Sequence, residues 1–155
     1  MKQALIILMV ILLMPIGVFA EKGFGIEQKF DVNTTTMKQS FVTYISAFSS
    51  HLRAFAHGDY GEDLNSADKL WAAGASVLYV PRPLSTYGVY FEIGGESEWL
   101  DTEVGTENFL RGAVGIGGFY QFGPQDAVYL GYLGRSKNEN EASHTVVARL
   151  VFGFE

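Results

Sequence analysis

The chain of 155 residues has no cysteine, only four prolines and only three histidines. Without cysteine there is no disulfide framework, no thiol chemistry and no lipidated cysteine behind a leader. After residue 20 no apolar run approaches the roughly 20 residues that a helix needs to cross a bilayer, so helical membrane spans are excluded. Basic residues are scarce as well, 11 Lys and Arg against 17 Asp and Glu. Nucleic-acid binding requires clustered Lys and Arg that displace counterions from phosphates, and this balance argues against it.

What is present begins with a leader. Lys2 precedes an apolar run from Ala4 to Val18 that is broken by Pro15 and Gly17, and Val18-Phe19-Ala20 places small or medium residues at the −3 and −1 positions of a cleavage site. Residues 1–20 are therefore expected to be a cleaved signal peptide, with residues 21–155 forming one domain that starts at Glu21. Of the basic residues only Lys2 lies in the leader, so ten remain against all 17 acidic ones, a net charge near −7.

Glycine is abundant at 18 residues and aromatics make up 14% of the chain. Period-two alternation dominates, and turn-forming clusters divide the chain into eight segments of strand length. They run approximately from Gly23 to Asp31, Met37 to Phe48, His51 to Gly58, Leu70 to Val80, Thr86 to Trp99, Asn108 to Phe122, Ala127 to Ser136 and Ala142 to Phe154. The fifth is the clearest: Tyr87, Val89, Phe91, Ile93 and Trp99 fall on one face, with Glu92, Glu96 and Glu98 on the other. In the fourth, Ala72, Ala73 and Ala75 also suit a helix and the two faces are similarly apolar, yet Trp71 and Tyr79 mark the two ends of one face, which favours a strand.

The connections Ser49-Ser50, Pro81 to Ser85 and Gly123 to Asp126 read as short turns. Those from Asp59 to Lys69, Leu100 to Glu107, Lys137 to Glu141 and Val32 to Thr36 read as mostly longer outer loops, rich in Asp59, Glu62, Asp63, Asp68, Asp101, Glu103, Glu107, Glu139 and Glu141. Short turns on one side and longer loops on the other are the signature of an outer-membrane barrel with both termini in the periplasm. Solvated charge is the ordinary reading of the acidic loops, with shared divalent cations between carboxylates and lipid phosphates as the functional one.

Reading back from Phe154, one face of the last segment holds Phe154, Phe152, Leu150, Ala148 and Val146. This resembles the C-terminal signature of bacterial outer-membrane proteins, a closing strand that ends in Phe with apolar residues at alternate positions and is read by the assembly machinery; here Glu155 follows the aromatic. Leader, strand count and last strand together resemble the small eight-stranded barrels of the OmpA-transmembrane and OmpX type. The fold expected from that resemblance is an all-β, eight-stranded antiparallel up-and-down transmembrane β-barrel.

With polar faces turned inward, Glu27, Lys29, Arg53, Glu92, Glu96, Glu98, Arg111, Arg135 and Arg149 meet in the lumen. An eight-stranded barrel is just wide enough for side chains to fill it, so a plugging salt-bridge network is expected. Trp71, Tyr79, Tyr87, Trp99 and Tyr120 are the expected aromatic girdle, and Val146, Leu150, Phe152 and Phe154 the assembly signal. No catalytic site, metal site or cofactor is expected. His51 and His144 each follow a serine, but adjacent strand residues point to opposite faces. Outer-membrane lipid A deacylases use His-x-Ser-Asn, which His51-Leu52-Arg53, His57-Gly58-Asp59 and His144-Thr145-Val146 all lack. His57 and Asp59 could make half of a metal site, but two ligands without further His or Cys spacing are a weak signal, and Gly115-Ile116-Gly117-Gly118 is not followed by a helix and so reads as relief of crowding or as room for strand bending.

These readings give a non-enzymatic outer-membrane barrel with a structural or surface-interaction role. Its expected partners are membrane lipid, lipopolysaccharide and the assembly machinery, with any extracellular ligand unspecified and no nucleic acid. Two other classes are compatible with the same pattern: a membrane-embedded lipid A-modifying hydrolase, and a soluble periplasmic barrel whose apolar face lines a cavity.

Overall fold

The alternation runs through eight strands that pair with their sequence neighbours and close on themselves. The computed structural model describes residues 21–33, 36–46, 51–63, 69–102, 105–136 and 142–154. Its strands are β1 (Glu21–Asp31), β2 (Thr36–Ser46), β3 (Leu52–Asp63), β4 (Lys69–Tyr79), β5 (Tyr87–Thr102), β6 (Gly105–Gln121), β7 (Ala127–Ser136) and β8 (Ala142–Phe154). All pairings are antiparallel, and β1 meets β8 to complete the barrel. The eight strands and their order are those expected, the two-faced fourth segment included.

The register fixes the shape. From Gln28 the ladder passes through Gln39, Tyr60, Trp71 and Trp99 to Asn108 on β6. The opposite way round, through Ala148 and Leu130, it arrives at Gly118, ten residues further along the same strand. With usual strand spacings, a stagger of ten over eight strands tilts the strands by about 40° and gives a backbone radius of about 8 Å. That interior has room for side chains and little else.

The connections correct the expected loop pattern. Outer intervals 32–35, 64–68, 103–104 and 137–141 are no longer than the opposite ones, 47–51, 80–86 and 122–126. Asp59 to Asp63 continues β3, and most of Leu100 to Glu107 belongs to a hairpin of β5 and β6, strands of 16 and 17 residues. The ladder accommodates acidic residues there because Glu62, Asp101 and Glu107 are exposed, while Asp59 turns inward onto Lys29. Residues 1–20, Ser49, Ser50 and Glu155 lie outside the described residues.

The interior is layered. At the end where β1 begins and β8 finishes, Val42, Phe55, Leu78, Val80, Tyr90, Phe119, Ala127, Tyr129 and Val151 form one buried apolar cluster. Tyr129 lies at its centre, 5.9 Å from the Phe55 ring, 5.5 Å from Tyr90 and 6.0 Å from Phe119. Gly117 makes room for the Tyr90 ring, since a Cβ there would fall 2.6 Å from a ring carbon. Crowding is thus the reason for glycine at this point of the Gly115–Gly118 run. The rest of the lumen, toward the outer rim, is charged.

Candidate functional site

Inward positions on seven of the strands converge on the charged layer. Acidic Glu27, Asp31, Asp59, Glu92, Glu96 and Glu98 and basic Lys29, Lys38, Arg53, Arg111, Arg135 and Arg149 are all buried, none more than 9% exposed. Six of each sign make this layer neutral. Charges taken out of water are tolerated only when paired in good geometry, and here most members serve more than one partner.

Arg149 of β8 donates from Nε to Glu27 Oε2 of β1 at 2.6 Å, and from Nη2 to Glu92 Oε1 of β5 across the lumen at 3.1 Å. Its guanidinium lies 4.5 Å from the Phe55 ring centroid, where the charged and apolar layers meet. Lys29 donates to Asp59 Oδ2 at 2.7 Å and to Glu96 Oε2 at 3.3 Å, and stands 3.2 Å from Glu27 Oε1. Glu96 also takes Lys38 at 3.3 Å and Arg135, while Glu98 takes Lys38 and, at 2.7 Å, Arg111. Arg53 stands apart, donating to the Tyr129 hydroxyl and leaning over that ring at 5.9 Å. The network therefore ties β1, β2, β3, β5, β6, β7 and β8 together through side chains alone.

Glu27, Lys29, Arg53, Glu92, Glu96, Glu98, Arg111, Arg135 and Arg149, the residues the alternation turns inward, are all buried. Sequence reasoning left out Asp31, Lys38, His57 and Asp59, which are buried with them. The sequence pattern puts Asp59 at the start of an outer loop. It is an interior residue of β3 because the ladder continues to Asp63, and two-residue spacing from Arg53 through Phe55 and His57 carries it inward.

The outward surface is apolar and aromatic. Phe24, Ile26, Phe41, Val77, Val89, Phe91, Ile93, Leu110, Val114, Ile116 and Leu130 are all exposed. Of the expected girdle, Trp71, Tyr79, Tyr87 and Tyr120 are exposed and Trp99 is half-buried beside Trp71. Tyr60, not anticipated, packs on Trp71 at 4.6 Å. Trp71 and Tyr79 stand at opposite ends of β4, about 27 Å apart along the strand and about 20 Å along the barrel axis after tilt, close to the height of an outer-membrane apolar band. Val146, Leu150 and Phe152 face the same surface and pair with Phe30, Ile26 and Phe24 of β1; the Phe154 side chain lies outside those described.

Ser143 and His144, neighbours in sequence, are not brought together. Ser143 is buried in the lumen, whereas His144 is exposed outside with its Nδ1 hydrogen-bonded to the Tyr132 hydroxyl, so the barrel wall separates the two. His51 is exposed beside Tyr79, and its neighbour Ser50 is outside the described residues.

No protein-family model matches the chain, and no curated protein matches it in sequence. Among solved structures, the N-terminal β-barrel domain of Pseudomonas aeruginosa OprF is similar with a TM-score of 0.71 at 10% identity, over 87% of this chain and 97% of its own. Neisserial surface protein A follows with 0.62 at 14% identity, over 87% and 96%. Ail, the attachment invasion locus protein of Yersinia pestis, solved with the heparin analogue sucrose octasulfate, gives 0.51 at 12% identity, over 87% and 97%. The chain thus has the fold of the small eight-stranded outer-membrane β-barrels. Its exposed apolar belt and charged interior are the arrangement of a barrel whose outer wall meets lipid.

The two faces of β5 give a direct test of that arrangement. Phe91 is exposed and Glu92 buried, so Phe91→Arg should destabilise the inserted barrel by about 2–4 kcal/mol if it lies near the bilayer midplane. Glu92→Gln should be much milder, because Arg149 keeps Glu27. Folding yields into lipid vesicles that ranked the two variants in the reverse order would mean the faces are assigned backward.

Proposed function

We propose that this chain is exported, loses residues 1–20 and spans the outer membrane as a non-enzymatic structural or surface-interaction barrel. The observation that carries the reading is the division of its side chains: a neutral, interlocked charge network inside and an apolar belt with aromatic ends outside. A soluble ligand-binding barrel would invert that division. The packed lumen leaves the wall and the outer rim as the surfaces available to other molecules. Lipid and lipopolysaccharide meet the belt, and the assembly machinery reads the last strand.

The rim is acidic, with Glu62, Asp101 and Glu107 exposed against Lys69. An extracellular partner of this chain would therefore present a cationic surface or bind through shared divalent cations. Fractionation followed by N-terminal sequencing tests the reading. The protein should appear in the outer-membrane fraction, require detergent for extraction and begin at Glu21. Recovery as a soluble periplasmic protein, or with Met1 retained, would contradict it.

A further inference from the structure

Several buried polar atoms of the barrel interior lack a hydrogen-bond partner among the described residues, and those of His57 and Asp59 lie two residues apart on one face of β3. His57 is 8% exposed, yet neither of its ring nitrogens has a hydrogen-bond partner among the described residues. Asp59 Oδ1, two residues along the same face of β3, has none either. Buried polar atoms in native proteins almost always find a partner, and those that do not call for a water or an ion.

Ligand atoms of these two residues and of Glu96 lie close together. His57, Asp59 and Glu96 of β5 each bring one ligand atom to within 4.8 Å of the others. His57 Nε2 lies 3.4 Å from Glu96 Oε2 and 4.0 Å from Asp59 Oδ2, the oxygen that Lys29 also holds. Nitrogen and oxygen ligands about 2.0–2.1 Å from a tetrahedral ion lie about 3.4 Å apart, so the His57–Glu96 separation already equals one edge of such a site. The strand between them is shaped to permit it. His57, Gly74 and Glu96 form one register row across β3, β4 and β5, and a Cβ on Gly74 would fall 2.6 Å from both His57 Nε2 and Glu96 Cβ.

We propose that His57, Asp59 and Glu96 form an intraluminal site for a divalent transition-metal ion of the zinc class. One imidazole and two carboxylates suit zinc, cobalt, iron or manganese better than soft monovalent copper, which selects thiolates and thioethers. The competitor is Lys29, whose ammonium is held by Asp59 Oδ2 and Glu96 Oε2. The site is thus one of exchange: the ion takes these oxygens and Lys29 swings onto Glu27 Oε1, which is 3.2 Å away and itself has no hydrogen-bond partner. Lys38 and Arg135 remain on the other Glu96 oxygen, Oε1, and keep that side chain in place.

The test uses the full chain refolded in detergent with cobalt(II) chloride and then gel-filtered. About one cobalt per barrel should be retained, displaced by zinc chloride, with visible absorption typical of low-coordinate cobalt. His57→Gln should weaken retention about tenfold or more while the folded band persists, and Lys29→Met should strengthen it by removing the competing charge. Absence of stoichiometric cobalt from the folded wild type would overturn the site. So would unchanged retention in His57→Gln, which would assign the ion to the exposed carboxylates of the rim. Should that variant fail to fold, X-ray absorption of the zinc-loaded wild type decides: an imidazole nitrogen among the ligands supports the proposal and an all-oxygen shell overturns it.

Discussion

Replacing Arg149 by methionine should destabilise the folded barrel by about 3–5 kcal/mol, the range found when one partner of a buried ion pair is removed and the other charge is left uncompensated. Arg149 is 1% exposed and holds Glu27 and Glu92 together. After the change Glu27 keeps Lys29, whereas Glu92 has no other ion pair among the described residues. Methionine fills much of the same volume, so the loss reports charge rather than a cavity. Adding Glu92→Gln to Arg149→Met should recover part of the stability, because it removes the stranded carboxylate. Urea unfolding in lipid vesicles, followed by tryptophan fluorescence, measures both variants. A loss below about 1 kcal/mol for the single variant would mean that the lumen charges are hydrated rather than interlocked.

Truncation after Arg149 should have a still larger effect. It deletes the part of β8 from Leu150 onward, whose register partners are Ile26 to Lys22 on β1 and Val128 and Ala127 on β7. The exposed edges would face lipid, where unpaired backbone groups cannot be satisfied and open sheets are not tolerated. The heat-modifiable folded band in detergent gels should disappear, with precursor or degraded protein left in the periplasm. Deleting only Glu155 should be tolerated, since Phe154 is the last residue of the ladder. A chain truncated after Arg149 that stayed folded and soluble would sink the membrane reading.

Strand number, order and most of the lumen were legible because inward and outward residues differ in polarity wherever the interior is charged. On β5 the contrast between Phe91 or Ile93 and Glu92 or Glu96 is enough to assign both faces. The contrast vanishes where the interior is apolar. Leu78 on β4 and Val80 just beyond its end, Tyr129 on β7 and Val42 beside Phe41 on β2 belong to or border the apolar cluster, so both faces of those segments read as greasy. That is why the face of β2 was not assigned and Lys38 was overlooked. Asp59 was missed for a different reason: polarity was taken as the end of a strand, although the ladder runs on above the belt to Asp63. The convergence of His57 with Glu96 was invisible, because it depends on Gly74 bringing residues 39 positions apart into one row.

The pairing of Glu27 with Arg149 lies in the register of β1 against β8, the seam where the barrel closes. A slip of one residue along that seam would expose charges to lipid and is rejected at once. A slip of two keeps every side chain on its proper face, so the greasy pattern cannot detect it. It would, however, set Glu27 opposite Val147 or Val151, leaving both charges buried without their partner. The ion pair therefore acts as a checksum on the final zippering step, distinguishing registers that hydrophobicity treats as equal.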